Sequence, residues 1–193
     1  MSSKLQQCMT LIDQANNADP NKTMVSGESI SNEVLYSQRM LLTLNSFDLM
    51  ASDALILACY AQHVCRWTLA RRDFPEGLEG YLTWRKELAK SHAKILGDVM
   101  VQGGYTEDIV SRAQYIIQKR KLKSDAGSQT LEDVSCLVFL NYYFEAFAAK
   151  HSEQRVIDIV QKTWAKMSEK GHQAALELTL LPHLQALVSK ALS

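Results

Sequence analysis

Three residues combine chemically useful side chains with positions on apolar helix faces: His63, His92 and Asp133. His63 shares a helical face with Ile56, Cys59, Tyr60 and Trp67, and His92 continues a row of Tyr81, Arg85 and Leu88. Asp133 lies on a stripe with Leu137, Leu140, Phe144 and Phe147. A carboxylate on such a stripe is costly to desolvate, so Asp133 requires a cation, a metal or several hydrogen-bond donors. The simpler assignment is that Asp133, about one turn into its helix, acts as an N-terminal anion or cap. Each histidine alone is more often a satisfied core residue. Together, on separate long helices, the three residues can converge inside a bundle, where metal and ligand sites are built.

Arginines form a second group: Arg39, Arg66, Arg71, Arg72 and Arg85. Arg66 follows His63 by three residues and so falls on nearly the same face. Guanidinium forks hold phosphate or carboxylate oxygens in pairs and stay charged, which suits an anionic ligand. Trp67 and Trp84 are placed to wall such a pocket, although large aromatics at helical spacing are usually core. Lys119, Lys121 and Lys123 read as a solvated helix end, and Phe139, Tyr142, Tyr143, Phe144 and Phe147 as core.

The elements that must position these residues are helices. Apolar spacing predicts seven or eight of them and no period-2 strand, hence an all-α single domain over residues 1–193. Leu5, Cys8, Met9 and Ile12 set the first helix, and the stretch from Asn16 to Ser31 reads as the longest loop. A second helix spans Glu33 to Phe47, and a third, capped by Ser52, continues through His63 to Trp67. The fourth begins near Leu78 or Gly80, runs to about Val101 and stops at Gly103-Gly104. The fifth opens at Thr106, and the sixth is capped by Ser128 and reaches about Lys150. A seventh covers Glu153 to Ser168, and an eighth is broken around Pro182.

Composition removes several classes of function. The 193 residues carry 21 Lys+Arg against 21 Asp+Glu, so no extended nucleic-acid surface is expected. The longest apolar run, Ala54 to Ala61, is far short of the roughly 20 residues of a membrane span. Cys8, Cys59, Cys65 and Cys136 form no CxxC pair and follow no secretory leader, which points to a reducing cytoplasm. Apolar positions on the C-terminal helices suit a homodimer.

The segments Ala61-Gln62-His63, Arg66-Trp67, Phe74-Pro75, Gly80-Tyr81, Trp84-Arg85, His92-Ala93, Gly104-Tyr105 and Leu131-Glu132-Asp133 through Leu140 resemble a domain-of-unknown-function family of bacterial and fungal proteins. Lys162-Thr163-Trp164 and Lys166-Met167-Ser168 extend the resemblance, which spans about residues 32–192 and leaves 1–31 as an N-terminal helix and loop. Some fungal members carry a glutamyl-tRNA synthetase label, and Lys166-Met167-Ser168-Glu169-Lys170 is similar to the KMSKS loop of class I synthetases. With no HIGH motif and no βαβ pattern to hold such a loop, the pentapeptide reads as a helix end.

More distantly, the order His63, His92, Asp133 resembles the HD-type phosphohydrolases, all-α proteins that bind a divalent metal through histidines and aspartates on separate helices. The resemblance implies that these three residues ligate Mn²⁺, Fe²⁺, Ni²⁺ or Zn²⁺. Arg66 or Arg85 would then neutralise charge on a phosphate ester, with Glu132 as base or as partner of a metal ligand. The chain departs from the pattern at Ala93, where an aspartate should follow His92. Two functional expectations result. In the first, an HD-like fold without metal uses His63, His92, Arg39, Arg66, Arg85 and Trp84 to hold a small anionic metabolite, a nucleotide or an acidic protein segment, and Asp133 pairs with an arginine. The alternative is a metal-dependent phosphohydrolase.

Overall fold

The computed structural model describes residues 2–193, which group into two compact units, 2–120 and 121–193. The chain is mostly helical, as its apolar spacing predicts, but the described residues hold ten α-helices and one small sheet. Among the described residues, no helix is long and apolar enough to cross a membrane.

In the first unit, α1 (Ser3–Asn16) starts where the Ser2 hydroxyl accepts the Leu5 N–H, and it buries Leu5, Cys8, Met9 and Ile12. The segment expected to be a loop contains an antiparallel hairpin, β1 (Lys22–Val25) and β2 (Glu28–Ser31), with Lys22 opposite Ser31 and Val25 opposite Glu28. Ser26 and Gly27 turn it with φ of 50° and 88°, the positive values that a two-residue hairpin turn requires. The strands are almost wholly exposed and bury no alternating face, which is why period-2 patterning misses them.

Helices α2 (Asn32–Phe47) and α3 (Asp53–Tyr60) follow, then two short 3₁₀ turns, Arg66–Thr68 and Arg71–Asp73. Long α4 (Gly77–Gln102) and α5 (Glu107–Ile117) complete the unit. Six of the eight residues of α3 are buried, and the helix packs against α1, α2 and α5. Where α4 meets α5, any side chain at Gly97 would run into Gln114, whose amide donates to the Ala93 carbonyl at 3.0 Å.

In the second unit, α6 (Ala126–Val138) is capped by Asp125, whose carboxylate accepts the Ser128 N–H at 2.8 Å; Ser128, the expected cap, is already inside the helix. A π-type turn over Phe139–Tyr143 divides it from α7 (Phe144–Ala148). The chain then forms α8 (Glu153–Lys166), α9 (Glu169–Leu176) and α10 (Pro182–Leu192). Ser168 caps α9, so Lys166-Met167-Ser168-Glu169-Lys170 is the junction of two helices. All four cysteines are free thiols.

Candidate functional site

The site begins where α3 ends early. Apolar spacing carries that helix to Trp67, but it stops at Tyr60 and the chain continues in tight turns closed by Val64 N–H to Ala61 and Arg66 N–H to His63. Cys65 takes a left-handed conformation, φ 52°, uncommon for a non-glycine residue. Tertiary bonding holds it there. The Asn16 side-chain oxygen accepts the Cys65 N–H at 3.0 Å, while its amide donates to Ser37 Oγ at 3.2 Å and the Glu33 carbonyl at 3.4 Å. Asn16 is fully buried, so α1, α2 and this turn share one hydrogen-bonded post.

That turn aims His63 and Arg66 at each other. Arg66 Nη1 lies 2.8 Å from His63 Nε2, and a guanidinium can only donate, so Nε2 must carry the lone pair. The ring proton therefore sits on Nδ1, which faces Glu33 Oε2 at 3.4 Å. The imidazole stacks on Tyr36, with centroids 3.8 Å apart and planes 11° from parallel. Burial, then the positive field of Arg66, holds the His63 pKa well below its ordinary value. His92 lies beside it at 6.3 Å between ring centroids, and burial and the same arginine bring its pKa down to about 4. His92 Nε2 is buried with no hydrogen-bond partner among the described residues. Glu33 moves the other way: burial outweighs the pull of Arg66, and its carboxyl is pushed up to about 7.

Arg66 also sits over Trp84, its guanidinium carbon 5.2 Å from the ring centroid, and Trp84 is fixed by an indole N–H bond to the Leu69 carbonyl at 2.9 Å. Together these residues wall a cleft of about 480 Å³ lined by Glu33, Arg66, Trp67, Arg71, Arg72 and Trp84, with Pro20 and Asn21 also in the lining. Arg71 is held by the Phe74 and Gly77 carbonyls, at 2.9 and 3.4 Å. Arg72 is solvent-facing and only loosely paired with Asp73. The cleft thus offers two anchored guanidinium groups, one exposed one, indole side chains and an acidic residue.

The other candidate residues fall elsewhere. Arg39 is half-buried on α2 outside the cleft lining, and Arg85 is exposed on α4 with its guanidinium over Tyr81. Asp133 and Glu132 belong to the second unit. Asp133 is buried as its stripe requires, and its partner is the start of α9 rather than an arginine: it accepts the Ser168 N–H at 2.8 Å, the Ser168 hydroxyl at 2.6 Å and the Gln129 amide at 3.1 Å. It therefore braces another helix's cap rather than its own. Gly171 is required beside it, since a Cβ there would stand 2.6 Å from Asp133 Oδ1. Glu132 is buried, with Lys166 Nζ at 3.8 Å.

These contacts do not fit a divalent cation. The His63 lone pair is directed at a guanidinium, the Asp133 oxygens are already bonded, and among the described residues no group of three or more His, Cys, Asp or Glu could hold a metal ion.

Four residues that organise the cleft carry no signal in the helical pattern: Asn16, Asp19, Glu33 and Tyr36. Asn16 and Asp19 look like ordinary turn residues in the sequence. Asp19 is in fact buried, with one oxygen accepting from Asn21 and the other from the Glu33 N–H at 3.3 Å, so it caps α2 from outside the helix.

Residues 6–188 match the model of a family described as Domain of unknown function (DUF4202). The chain belongs to this family. The match spans both compact units and takes in α1 and the hairpin, beyond the region that carries the resemblance in sequence. No curated protein and no solved structure matches the chain.

Proposed function

We propose that the Arg66 cleft binds a small anionic ligand bearing a phosphate or carboxylate group. The observation that carries this reading is the state of Arg66: a cation braced by Trp84 and a neutral imidazole, with no carboxylate of the described residues within ion-pair distance, opening on a cleft that Arg71 and Arg72 also line. A guanidinium has five donors, and an oxyanion in the cleft would take those that His63 leaves over. His63 acts as a positioning residue and Trp84 as the platform. The free thiols fit a reducing, cytoplasmic setting, and exposed Leu176 and Leu181 suit self-association as a homodimer.

The alternative, an HD-like phosphohydrolase, is favoured by one observation, the closeness of His63 and His92 with a His92 Nε2 unpartnered among the described residues. It requires Arg66 to release His63 and Asp133 to release Ser168, so the anion-binding reading is preferred.

Thermal unfolding of the full chain in phosphate, against chloride at equal ionic strength, tests the proposal. Phosphate should raise the Tm, and Arg66→Ala should abolish the rise while staying folded. An equal rise in the variant overturns the assignment.

A further inference from the structure

Beyond its arginines, the cleft has two further unmet needs. Trp67 lines it half-exposed, and its indole makes no ring contact or hydrogen bond with any described residue. Glu33 also lines it, and the closest polar side-chain contact of its carboxyl among the described residues is His63 Nδ1 at a long 3.4 Å. A carboxyl oxygen short of donors is an acceptor waiting for a hydroxyl or amino group. The raised Glu33 pKa agrees with such under-solvation. A simple oxyanion meets the needs of the arginines and leaves the other two unmet.

We infer that the ligand class is a nucleoside monophosphate, its phosphate on Arg66 and Arg71, its ribose hydroxyls donating to Glu33 and its base on Trp67. This rests on the anion-binding reading and narrows it. Two anchored arginines suit one phosphate rather than a polyphosphate chain, because Arg72 is 90% exposed and its closest charged neighbour is Asp73 at 4.0 Å. Trp84 is not the stacking surface: Arg66 covers it and its N–H is spent on Leu69. Stacking on an indole tolerates any base, so selectivity between bases is not built into these residues.

Titration calorimetry of the full chain at pH 7 with inorganic phosphate, ribose 5-phosphate, adenosine and the four nucleoside monophosphates tests the inference. At least one nucleotide should bind roughly ten-fold or more tightly than ribose 5-phosphate, the scale of one base stacked on an aromatic ring. Ribose 5-phosphate should exceed phosphate, and adenosine alone should bind weakly. Trp67→Leu should bring the nucleotides down to the level of ribose 5-phosphate without changing the latter, and Trp67→Phe should restore most of the difference. Glu33→Gln should remove the advantage of ribose 5-phosphate over phosphate. Nucleotides that bind no better than phosphate, with binding still lost in Arg66→Ala, overturn this inference and leave anion binding standing. No binding of phosphate or of any nucleotide overturns both.

Discussion

His63 and Arg66, three residues apart in sequence, are held with Nε2 and Nη1 2.8 Å apart, so a neutral imidazole serves as acceptor for a permanent cation. The pairing determines the tautomer. Protonating Nε2 would remove the acceptor and set two positive groups against each other, which is why burial and Arg66 act together on this histidine. Nitrogen-15 spectra of the His63 ring should show a bare Nε2 and a protonated Nδ1 at pH 7, with its titration displaced well below the ordinary histidine range. A midpoint near the ordinary value of about 6.5 would mean that the pair is not formed in solution.

His92 makes acid stability a second measurement. Its folded pKa is about 4 against an ordinary 6.5, so between those values the unfolded chain binds a proton that the folded chain refuses. Stability should therefore fall as the pH drops from about 6.5 to about 4, this one site accounting for about 3 kcal/mol at the lower end. Urea midpoints at pH 7, 5.5 and 4 for wild type and His92→Gln check this. The variant should show the shallower decline.

Glu33 carries the opposite sign. Its folded pKa of about 7 lies above the ordinary 4.5, so the folded chain holds the extra proton in that window. The stability this contributes is present below about pH 4.5 and is lost as the pH rises through 7. Glu33→Gln, which keeps the shape without the charge, should be more stable than wild type by about 1–3 kcal/mol at pH 8.5 and nearly equal to it at pH 4.5. The side chain is only 13% exposed, so solvent screening removes little of the effect.

In the second unit, Asp133 bonds both the N–H and the hydroxyl of Ser168, and the same hydroxyl caps α9 by accepting the Gly171 N–H at 3.1 Å. Asp133→Ala should cost about 2–4 kcal/mol by orphaning both groups and loosening the cap. The loss should be the same with and without a chelator, since the carboxylate serves Ser168. Gly171→Ala should also destabilise, because its methyl group would press on Asp133.

The apolar stripe of α6 was enough to show that Asp133 is buried and must be paired, because helical period alone decides which face a residue takes. Its partner, 35 residues on, could not be read from any local pattern. Helical period misplaced His63 more seriously. Ile56, Cys59 and Tyr60 do lie on a helix, but the turn at Cys65 follows from Asn16, 49 residues earlier, and tertiary contacts override local spacing there. The Arg66 cleft was legible as residue types, arginines beside tryptophans. The Glu33–His63 contact was not, since it joins elements whose approach depends on the fold.

Asn16 offers the most direct test of that long-range control. Fully buried, it bonds Cys65 N–H, Ser37 Oγ and the Glu33 carbonyl, and Asn16→Ala would leave the first of these without its acceptor. We expect a loss of about 2–3 kcal/mol in urea unfolding, the scale of an orphaned buried polar group. The left-handed Cys65 would then relax toward ordinary backbone, carrying Arg66 off His63 and Trp84. Phosphate-induced stabilisation should fall in Asn16→Ala even though the residue does not line the cleft. Adding Cys65→Gly, which accepts φ 52° without a Cβ penalty, should recover part of both losses; recovery of stability without recovery of the phosphate effect would show that Asn16 supports the fold but does not aim Arg66.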